Sequence, residues 1–449
     1  MLRLICKKWG SNASLSRYRF FGSEAGGGNE SMSLAVMSFG DGSQGALGLP
    51  SSLLGVGADA YEPTLVPGLP DDIVSVSAGH YHSLAVTAKG EVWTWGRNDE
   101  GQLGRGIREP RHSWNEARVV DGLTNVKVRA AFASGVISAA VGDDGSVWTW
   151  GRSKRGQLGH GKGVLEAFVP SRVEALAKED VVKVSLGWGH ALAQTADGKL
   201  FGWGYSAEGR LGKLGETVQL NSSSKLHNRR TMNPSEAHEV ADKLVLESME
   251  KEKDMPIIWE PQVIEELQRL EVIDVSCGLD HSIILCRDGT MLSGGSNTYG
   301  QLGRVNQDVG LLPVDLASFH PQTVACGLGH SLAVCDMPTS DDNTDLRKII
   351  ISWGWNGSSQ LGRSGLESQP LAVEGLFEEI PRTVSCGRVH SLAVTDKGEL
   401  WAWGCGKNGR LGLGSSFDEP EPALIDIGCH RVVQGVAGFD HNLLLVAQS

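Results

Sequence analysis

Two residue types that ligate soft metals lie close together in the segment SCGLDHSIILCRDG, residues 276–289. Cys277 and His281 are four residues apart, and Cys286 follows within the same segment. Thiolate and imidazole are ligands that zinc prefers, and one zinc ion needs three or four ligands, with bonds of about 2.3 Å or less. The segment is therefore either half of a zinc site or an ordinary pair of strands, and the elements around it must decide.

The segment is one copy of a repeat that runs along most of the chain. Four copies align without a gap, a fifth is interrupted by the insertion CDMPTSDDNTDLRK, and a sixth has Ile137 in place of the histidine. The gap-free copies are SAGHYHSLAVTAKGEVWTWGRNDEGQLG (77–104), SLGWGHALAQTADGKLFGWGYSAEGRLG (185–212), SCGLDHSIILCRDGTMLSGGSNTYGQLG (276–303) and SCGRVHSLAVTDKGELWAWGCGKNGRLG (385–412).

The recurrence argues against a metal site, because a closed array of repeats would hold its histidines far apart, one in each unit. The position of Cys277 holds alanine, leucine or cysteine in the other units, as expected for a small buried residue. We therefore predict core histidines that are hydrogen-bonded within the protein, with no metal site and no cofactor. The predicted structural histidines are His82, His190, His281, His330, His390 and His441.

Each unit contains two short strands joined by a tight turn. HSLAVT and EVWTWG alternate and are rich in β-branched and aromatic residues, which suit a pleated, half-buried surface. Turns such as AKG and RDG place glycine where a hairpin needs positive φ. A Trp-Gly pair ends the second strand with a large packing group, and we expect the unit with Gly294 at that position to pack less well. The predicted packing tryptophans are Trp95, Trp150, Trp203, Trp353 and Trp403.

The two ends of the chain complement each other. VAGFDHNLLLVAQS at the C-terminus holds the histidine half of a unit, and SLAVMSFGDGSQGALG near the N-terminus holds the other half. A closed ring leaves only short, protected strand edges. The sequence therefore predicts an all-β fold, a seven-bladed β-propeller over residues 33–449 whose N- and C-terminal segments share one blade. The unit resembles the repeat of the regulator of chromosome condensation family, and this resemblance implies the same closure.

The chain begins with a basic segment that is typical of an organellar presequence. Residues 1–22 contain five lysines and arginines and no carboxylate, although the whole chain has a net charge of −12. This pattern indicates a mitochondrial presequence, with a frayed basic tail as the alternative, and residues 23–32 are predicted to be a flexible linker. Eight cysteines without a Cys-x-x-Cys pair fit a reduced compartment such as the mitochondrial matrix. No apolar run approaches the roughly 18 residues of a membrane span.

Two insertions interrupt the propeller, at about 213–261 and at 335–348. The first contains PSEAHEVADKLVLESMEKEKD, for which a helix start at Ser235 and apolar residues near helical spacing are predicted. This insertion is either a partner-binding arm or a tolerated surface loop, because long insertions cost little closure entropy.

Two loops of consecutive units are rich in lysine and arginine, LGRGIREPRH and GRSKRGQLGHGKG. Equivalent loops of neighbouring blades should lie side by side, so we predict a local positive patch on an otherwise acidic body. Such a patch can hold the phosphates of RNA, and solvated loop charge is the alternative. The candidate residues for RNA or partner binding are Arg105, Arg108, Arg111, Arg152, Lys154, Arg155 and Lys162.

The chain lacks a phosphate-binding P-loop, a Gly-x-Ser-x-Gly nucleophile elbow and a His-Glu-x-x-His motif, so we predict a non-catalytic protein. The family resemblance implies three functions to compare: an interaction scaffold, guanine-nucleotide exchange as in the founding member, and light sensing as in the plant UV-B photoreceptor. The photoreceptor repeats Gly-Trp-Arg-His-Thr segments, whereas only Gly187–His190 comes near that pattern here. Light sensing is therefore disfavoured.

With its basic leader and acidic body, the chain looks like the plant mitochondrial branch of the family. That resemblance implies a role in mitochondrial gene expression, in transcript splicing and in the biogenesis of respiratory complex I, through protein partners and RNA. Exchange on an organellar small GTPase is the alternative. We expect a monomer without a DNA-binding tail.

Overall fold

The computed structural model contains 28 described strands, which form seven four-stranded antiparallel sheets. They lie in one compact unit, Ser33–Ser449. This architecture confirms the predicted all-β fold, a seven-bladed β-propeller in which the N- and C-terminal segments share a blade. The described residues are 33–50, 57–106, 110–214, 243, 246, 256–338, 346–376 and 378–448.

Several predictions from the sequence fall outside the described residues. The predicted presequence, residues 1–22, and the predicted linker, residues 23–32, are not among them. Most of the insertion at about 213–261 is also outside, although Lys243 and Leu246 within it are helical and exposed. No helix of the described residues is long and apolar enough to cross a membrane.

Blades 1 to 6 each take four consecutive strands, and blade 7 takes the last two strands together with the first two. Blade 1 contains β3 (Ile73–Ala78), β4 (His82–Thr87), β5 (Val92–Gly96) and β6 (Arg118–Val119). Blade 2 contains β7 (Val128–Ala133), β8 (Ile137–Gly142), β9 (Val147–Arg152) and β10 (Glu166–Arg172). Blade 3 contains β11 (Val181–Leu186), β12 (His190–Thr195), β13 (Leu200–Tyr205) and β14 (Ile257–Val263).

The remaining blades follow the same order. Blade 4 contains β15 (Val272–Cys277), β16 (His281–Cys286), β17 (Met291–Gly295) and β18 (Leu312–Pro313). Blade 5 contains β19 (His320–Cys326), β20 (His330–Pro338), β21 (Leu346–Gly354) and β22 (Leu371–Ala372). Blade 6 contains β23 (Pro381–Cys386), β24 (His390–Thr395), β25 (Leu400–Gly404) and β26 (Glu419–Ile425). Blade 7 contains β27 (His430–Ala437), β28 (His441–Gln448), β1 (Leu34–Gly40) and β2 (Ala60–Leu65).

Short 3₁₀ turns supplement the strands. The described ones are Arg111–Ser113, Glu174–Leu176, Ala207–Gly209, Glu265–Leu267 and Lys407–Gly409. Glycine has positive φ in the hairpins between the second and third strands, for example 86° at Gly90 and 81° at Gly398. These values agree with the turn chemistry that the sequence predicts.

The second strand of each blade is buried on both sides. All six residues of His82–Thr87 are buried, although the alternating sequence HSLAVT predicts a half-buried strand. The difference arises because each sheet is packed between two others, so that both of its faces are covered. The core therefore consists of apolar clusters between blades; one of them joins Val36 and Leu443 of blade 7 to Ile73 and Trp95 of blade 1.

The first strand of each blade lies innermost. β3, β7, β11, β15, β19, β23 and β27 each contact the first strands of both neighbouring blades, which closes a ring around a central axis. Blade 7 completes the ring because β1 pairs with β28 along its whole length, from Leu34 opposite Ala447 to Gly40 opposite His441. Both ends of the propeller sequence are thus held in one sheet.

Antiparallel strands place the connections of a blade alternately at two faces of the ring. The loops between first and second strands, and between third and fourth strands, share one face, which we call the loop face. The tight hairpins and the links between blades share the opposite face, which we call the turn face. The insertion at about 213–261 joins β13 to β14 and so leaves from the loop face, whereas the one at 335–348 lengthens the β20–β21 hairpin at the turn face.

Blade 4 has Gly294 where the other copies of the repeat have tryptophan or phenylalanine. The expectation of looser packing there is not met, because the space is filled. A Cβ on Gly294 would overlap the Gly209 carbonyl and would lie 2.9 Å from Leu311 Cδ2. Gly209 belongs to the turn Ala207–Gly209 of blade 3, which packs against β17. The backbone of blade 3 therefore fills the space that the tryptophan side chain occupies in other blades.

Candidate interaction face

The six recurring histidines link neighbouring blades by hydrogen bonds. Each imidazole Nε2 contacts a serine hydroxyl or an asparagine oxygen of the next blade, at 2.8 to 3.1 Å. The partner directly follows the histidine position of that next blade. The pairs are His82–Ser138, His190–Ser282, His281–Ser331, His330–Ser391, His390–Asn442 and His441–Ser83.

The interface between blades 2 and 3 lacks this hydrogen bond, and both the histidine and the serine positions hold apolar residues there. Ile137 stands at the histidine position of blade 2, and Ala191 stands at the serine position of blade 3. Both side chains are fully buried. Because neither side chain carries a polar group, the exchange leaves no buried donor or acceptor without a partner.

The serines fix the tautomer of the imidazoles. Ser138 Oγ donates its single proton to the Gln102 carbonyl at 2.8 Å, so it must accept the hydrogen bond from His82. The proton of His82 therefore lies on Nε2. Ser391 Oγ, the partner of His330, donates to a loop carbonyl in the same way.

Burial keeps these imidazoles neutral. Removing the rings from water disfavours the imidazolium form and lowers the pKa of each of them. The pKa is lowered to about 3 for His82 and His330, to about 4 for His281, His390 and His441, and well below its usual value for His190. A neutral ring with one N–H donor fits a structural role.

The five recurring tryptophans bind the same loop carbonyls. Trp150 Nε1 donates to the Gln102 carbonyl at 2.8 Å, beside the hydroxyl of Ser138. Gln102 lies in the Gly-Gln-Leu-Gly turn of blade 1, so one carbonyl ties that turn to two strands of blade 2. The equivalent pairs elsewhere are Trp95–Ala46, Trp203–Gln157, Trp353–Gln301 and Trp403–Gln360.

Cys277 and His281 each have a place in this packing. Cys277 Sγ donates to the Ser185 carbonyl at 3.5 Å, and burial raises the pKa of this thiol to about 12. Zinc requires the thiolate, and His281 Nε2 is already bound to Ser331. Within the described part of the chain, no three His, Cys, Asp or Glu side chains are grouped so that they could hold a metal ion.

Arg105 does not belong to the predicted surface patch. The side chain is 7% exposed, and its guanidinium donates to the carbonyls of Thr94 and Glu116. Arg304 and Arg363 also directly follow the Gln-Leu-Gly of the equivalent turns and are buried in the same way. The prediction that Arg105 binds RNA or a partner is therefore wrong, and the recurrence of arginine at this repeat position is the signal that could have shown it.

Two further members of the predicted patch contact neighbouring groups, and a third cannot be placed. Arg152 pairs with Glu166 through Nε at 3.0 Å and Nη2 at 2.9 Å. The Arg111 guanidinium carbon lies 5.5 Å from the centroid of the Trp114 ring. Arg111 also donates to the Ser43 carbonyl of blade 7 at 3.3 Å. Arg108 lies outside the described residues.

The part of the predicted patch that belongs to blade 2 lies on one loop. Residues 153–165, between β9 and β10 on the loop face, contain Lys154, Arg155 and Lys162 and no carboxylate. Lys154 and Lys162 are exposed, and neither has an ion-pair partner among the described residues. The carboxylate nearest to Gly161 of this loop is that of Glu260 in blade 3. The two exposed ammonium groups are not paired with it and can bind an anion.

Arg155 belongs to a stack of rings that the sequence did not reveal. Its guanidinium carbon lies 4.8 Å from the centroid of Trp188. His80 stacks on Trp188 at 4.9 Å and on Phe439 at 4.2 Å, and Arg388 covers Phe439 at 4.7 Å. These ring residues and Arg388 come from the Gly-x-x-His loops of four blades and lie at the inner edge of the loop face. The signal in the sequence is that this position departs from the repeat, with a different side chain in nearly every unit.

A seven-bladed propeller joined through Gly-x-x-His and Gly-x-Leu-Gly turns defines the class of propellers typified by the regulator of chromosome condensation. The chain belongs to the RCC1-like domain family, whose sequence profile matches residues 35–444. The resemblance of the repeat to this family is thereby confirmed.

Three relatives with known roles are similar along most of their length. The ultraviolet-B receptor UVR8 of Arabidopsis thaliana is 30% identical over 386 residues, which cover 85% of this chain and 76% of the receptor. The RCC1 domain-containing protein RUG3 of Arabidopsis thaliana, a mitochondrial protein, is 28% identical over 391 residues, covering 84% of this chain and 77% of RUG3. The human regulator of chromosome condensation is 29% identical over 426 residues, with 92% and 90% coverage.

Solved structures show the same fold. Prp20p of Saccharomyces cerevisiae superposes with a TM-score of 0.70 at 22% identity, covering 93% of this chain and 92% of that protein. Human WBSCR16 also has a TM-score of 0.70, at 20% identity, covering 93% of this chain and 99% of that protein. At these identities the structural similarity establishes the architecture. It does not establish the function, which depends on the surface residues.

Proposed function

We propose that the chain is a non-catalytic, monomeric interaction protein of the mitochondrial matrix. It supports organellar gene expression, in transcript splicing or maturation and in the biogenesis of respiratory complex I, through protein partners and RNA. The observation that carries the RNA contact is the loop 153–165 of blade 2, which has three cations and no carboxylate in a chain of net charge −12. The similarity to the mitochondrial protein RUG3 supports the compartment.

The two lysines and Arg155 offer different contacts to a nucleic-acid backbone. Lys154 and Lys162 are exposed point charges, which bind phosphates by releasing condensed counterions. The Arg155 guanidinium is held in place by its cation–π contact with the Trp188 ring. A guanidinium held in this way presents paired N–H donors to a phosphate. The loop therefore holds single-stranded RNA by its backbone, without reading its sequence.

The test is a charge reversal of the two exposed lysines, measured as affinity for single-stranded RNA. We expect the K154E/K162E variant to bind about tenfold more weakly, and the slope of log K against log salt to fall by about 0.7 for each phosphate that a lysine no longer neutralises. The matched control is K89E/K178E, which makes the same charge change at exposed lysines of the turn face. Equal weakening in both variants, or none in either, contradicts the proposal.

Guanine-nucleotide exchange on an organellar small GTPase is the second candidate, favoured by the 29% identity to the human regulator of chromosome condensation. Exchange is detected as faster release of a labelled guanine nucleotide from purified mitochondrial GTPases. The scaffold proposal expects no acceleration with any of them, and a clear acceleration would replace it.

Light sensing is not proposed, in spite of the 30% identity to the ultraviolet-B receptor. Of the side chains two positions before the recurring histidines, only Trp188 is a tryptophan. The others are His80, Leu279, Leu328, Arg388 and Phe439.

A further inference from the structure

Three exposed apolar side chains stand on the loop face, on the loops between the third and fourth strands of blades 4, 5 and 6. Val305 is 81% exposed, Leu366 is 62% exposed and Phe417 is 76% exposed. These are the highest exposures of any large apolar side chain among the described residues. Single exposed apolar residues are ordinary, but these three occur on equivalent loops of three consecutive blades. We call Val305, Leu366 and Phe417 the apolar rim.

The loops that carry Val305 and Leu366 are held in shape by buried arginines. Arg304 donates to the carbonyls of Asn306, Asp308 and Gly310, which follow Val305 in the same loop. Arg363 Nη2 donates to the carbonyl of Leu366 itself at 3.2 Å. A loop fastened to a buried guanidinium cannot collapse to hide its apolar side chain, so both side chains are held out towards solvent.

The third loop is fastened by other bonds. The Gly406 amide donates to Asp418 Oδ1 at 2.9 Å, directly beside Phe417. Adjacent loops of the rim also touch, because a Cβ on Gly300 of blade 4 would lie 2.5 Å from Ser368 Cβ of blade 5. The rim is therefore a preorganised surface, and preorganisation lowers the entropic cost of binding.

Acidic residues flank each member of the rim. Asp308 lies three residues after Val305, Glu367 follows Leu366, and Asp418 and Glu419 follow Phe417. In the three loops, 296–311, 355–370 and 405–418, all of which are described, Lys407 is the one exposed cation, since the three arginines are buried. An apolar surface with a carboxylate border is complementary to a basic amphipathic segment and repels anionic lipid.

We propose that the apolar rim binds a basic amphipathic helix of a protein partner. Apolar side chains spaced at i, i+3, i+4 and i+7 would contact the rim, and lysines or arginines on the flanks of that helix would face the carboxylates. This inference rests on the proposed role as an interaction protein and names the class of its protein partner. It is independent of the RNA contact, because the rim lies on blades 4 to 6 and the lysines lie on blade 2.

The experiment uses the full chain and a fluorescent amphipathic peptide of leucine and lysine, with a matched peptide of leucine and glutamate. The V305S/L366S/F417S variant is expected to bind the leucine–lysine peptide about tenfold more weakly than the unchanged chain. The control V119S/V169S/L424S changes three exposed apolar residues of outer strands and is expected to bind as the unchanged chain does. The leucine–glutamate peptide is expected not to bind.

Three outcomes would overturn the proposal. The first is equal binding of the leucine–lysine peptide by the rim variant and its control, and the second is equal binding of both peptides by the unchanged chain. The third is a dimer in sedimentation that the rim substitutions dissociate, since the rim would then be a contact between copies. RNA affinity is measured on the same rim variant and is expected to be unchanged, so a failure here is distinguishable from a failure of the RNA proposal.

Discussion

At the scale of the residue, each buried imidazole and the hydroxyl of the next blade act as one unit. His281 donates to Ser331 at 3.0 Å, and both are fully buried. Removing one partner leaves the other buried without its hydrogen bond, whereas removing both restores an apolar contact. The pair of Ile137 and Ala191 shows that this chain already uses the second arrangement.

A double-mutant cycle at this pair measures the coupling. We expect His281→Ile and Ser331→Ala each to lower the free energy of unfolding by about 1–3 kcal/mol. The double variant should lose less than the sum of the two, by about 0.5–3 kcal/mol. Denaturant unfolding gives the three values, and strict additivity would show that the two groups are independent.

The buried histidines also make the stability depend on pH. Their pKa values in the folded chain lie well below 6.5, for example about 4 for His281. Below about pH 6.5 the unfolded chain therefore binds protons that the folded chain does not, so stability is lost as the pH falls towards about 4. Above pH 6.5 these groups make no difference, because they are neutral in both states.

The pH prediction is checked by the slope of unfolding free energy against pH between 6.5 and 5. Each buried histidine should contribute up to about 1.4 kcal/mol for each pH unit. His281→Gln is expected to reduce that slope by the contribution of one buried histidine, whether or not the substitution also changes the free energy of unfolding at neutral pH. A stability that is flat over this range would refute the account.

The role of a residue could be predicted from the sequence where its residue type recurs in several units, and could not be predicted where it does not recur. The core histidines follow from six repetitions, and the burial of Cys277 follows from the small or apolar residues that other units have at its position. The partner of each histidine was also encoded, since Ile137 and Ala191 depart from the repeat together. The ring stack around Trp188 could not be predicted, because it brings together positions from different blades that share no residue type.

At the scale of the element, blade 4 shows that a missing tryptophan is compensated by backbone. The Gly209 carbonyl lies where a Cβ on Gly294 would be. Gly294→Ala should therefore destabilise the chain by about 1–3 kcal/mol through overpacking, and Gly294→Trp, which restores the repeat residue, should be worse.

The control for this prediction is Gly135→Ala. Its new Cβ would meet no atom closer than Trp188 Cε3 at 3.6 Å, so little change in the thermal midpoint is expected. A stabilising effect of Gly294→Trp would mean that blade 4 is loosely packed, as the sequence alone suggests.

Strand positions and turn glycines followed from local chemistry, but the burial of the strands did not. The sequence HSLAVT alternates like a strand with one solvent-exposed face. Both faces of the strand are nevertheless buried, because neighbouring blades pack on either side. Local sequence was also insufficient for Arg105. Within its own loop it looks like a surface charge, whereas comparison with Arg304 and Arg363 shows a buried arginine that hydrogen-bonds its loop. Context between elements, not local pattern, decides both cases.

At the scale of the whole molecule, the ring follows from the complementary ends of the sequence. β1 and β28 pair as those ends predict, and Asp440 of blade 7 binds Arg388 and Arg410 of blade 6 at 2.8 and 2.9 Å. The charge of the lysine loop was visible in the sequence, whereas the apolar rim was not, because its three members lie in loop positions that do not repeat. The loop face carries two separate surfaces, the lysine loop of blade 2 and the apolar rim of blades 4 to 6.

The account as a whole holds that repeated residues build the ring and that non-repeated loop residues bind partners. Cross-linking of the full chain to RNA in cells, followed by identification of the cross-linked peptides, tests this most directly. We predict cross-links within residues 153–165 on the loop face. Cross-links confined to the hairpins of the turn face, such as the one at Lys89, or RNA association that leaves 153–165 unmarked, would contradict it.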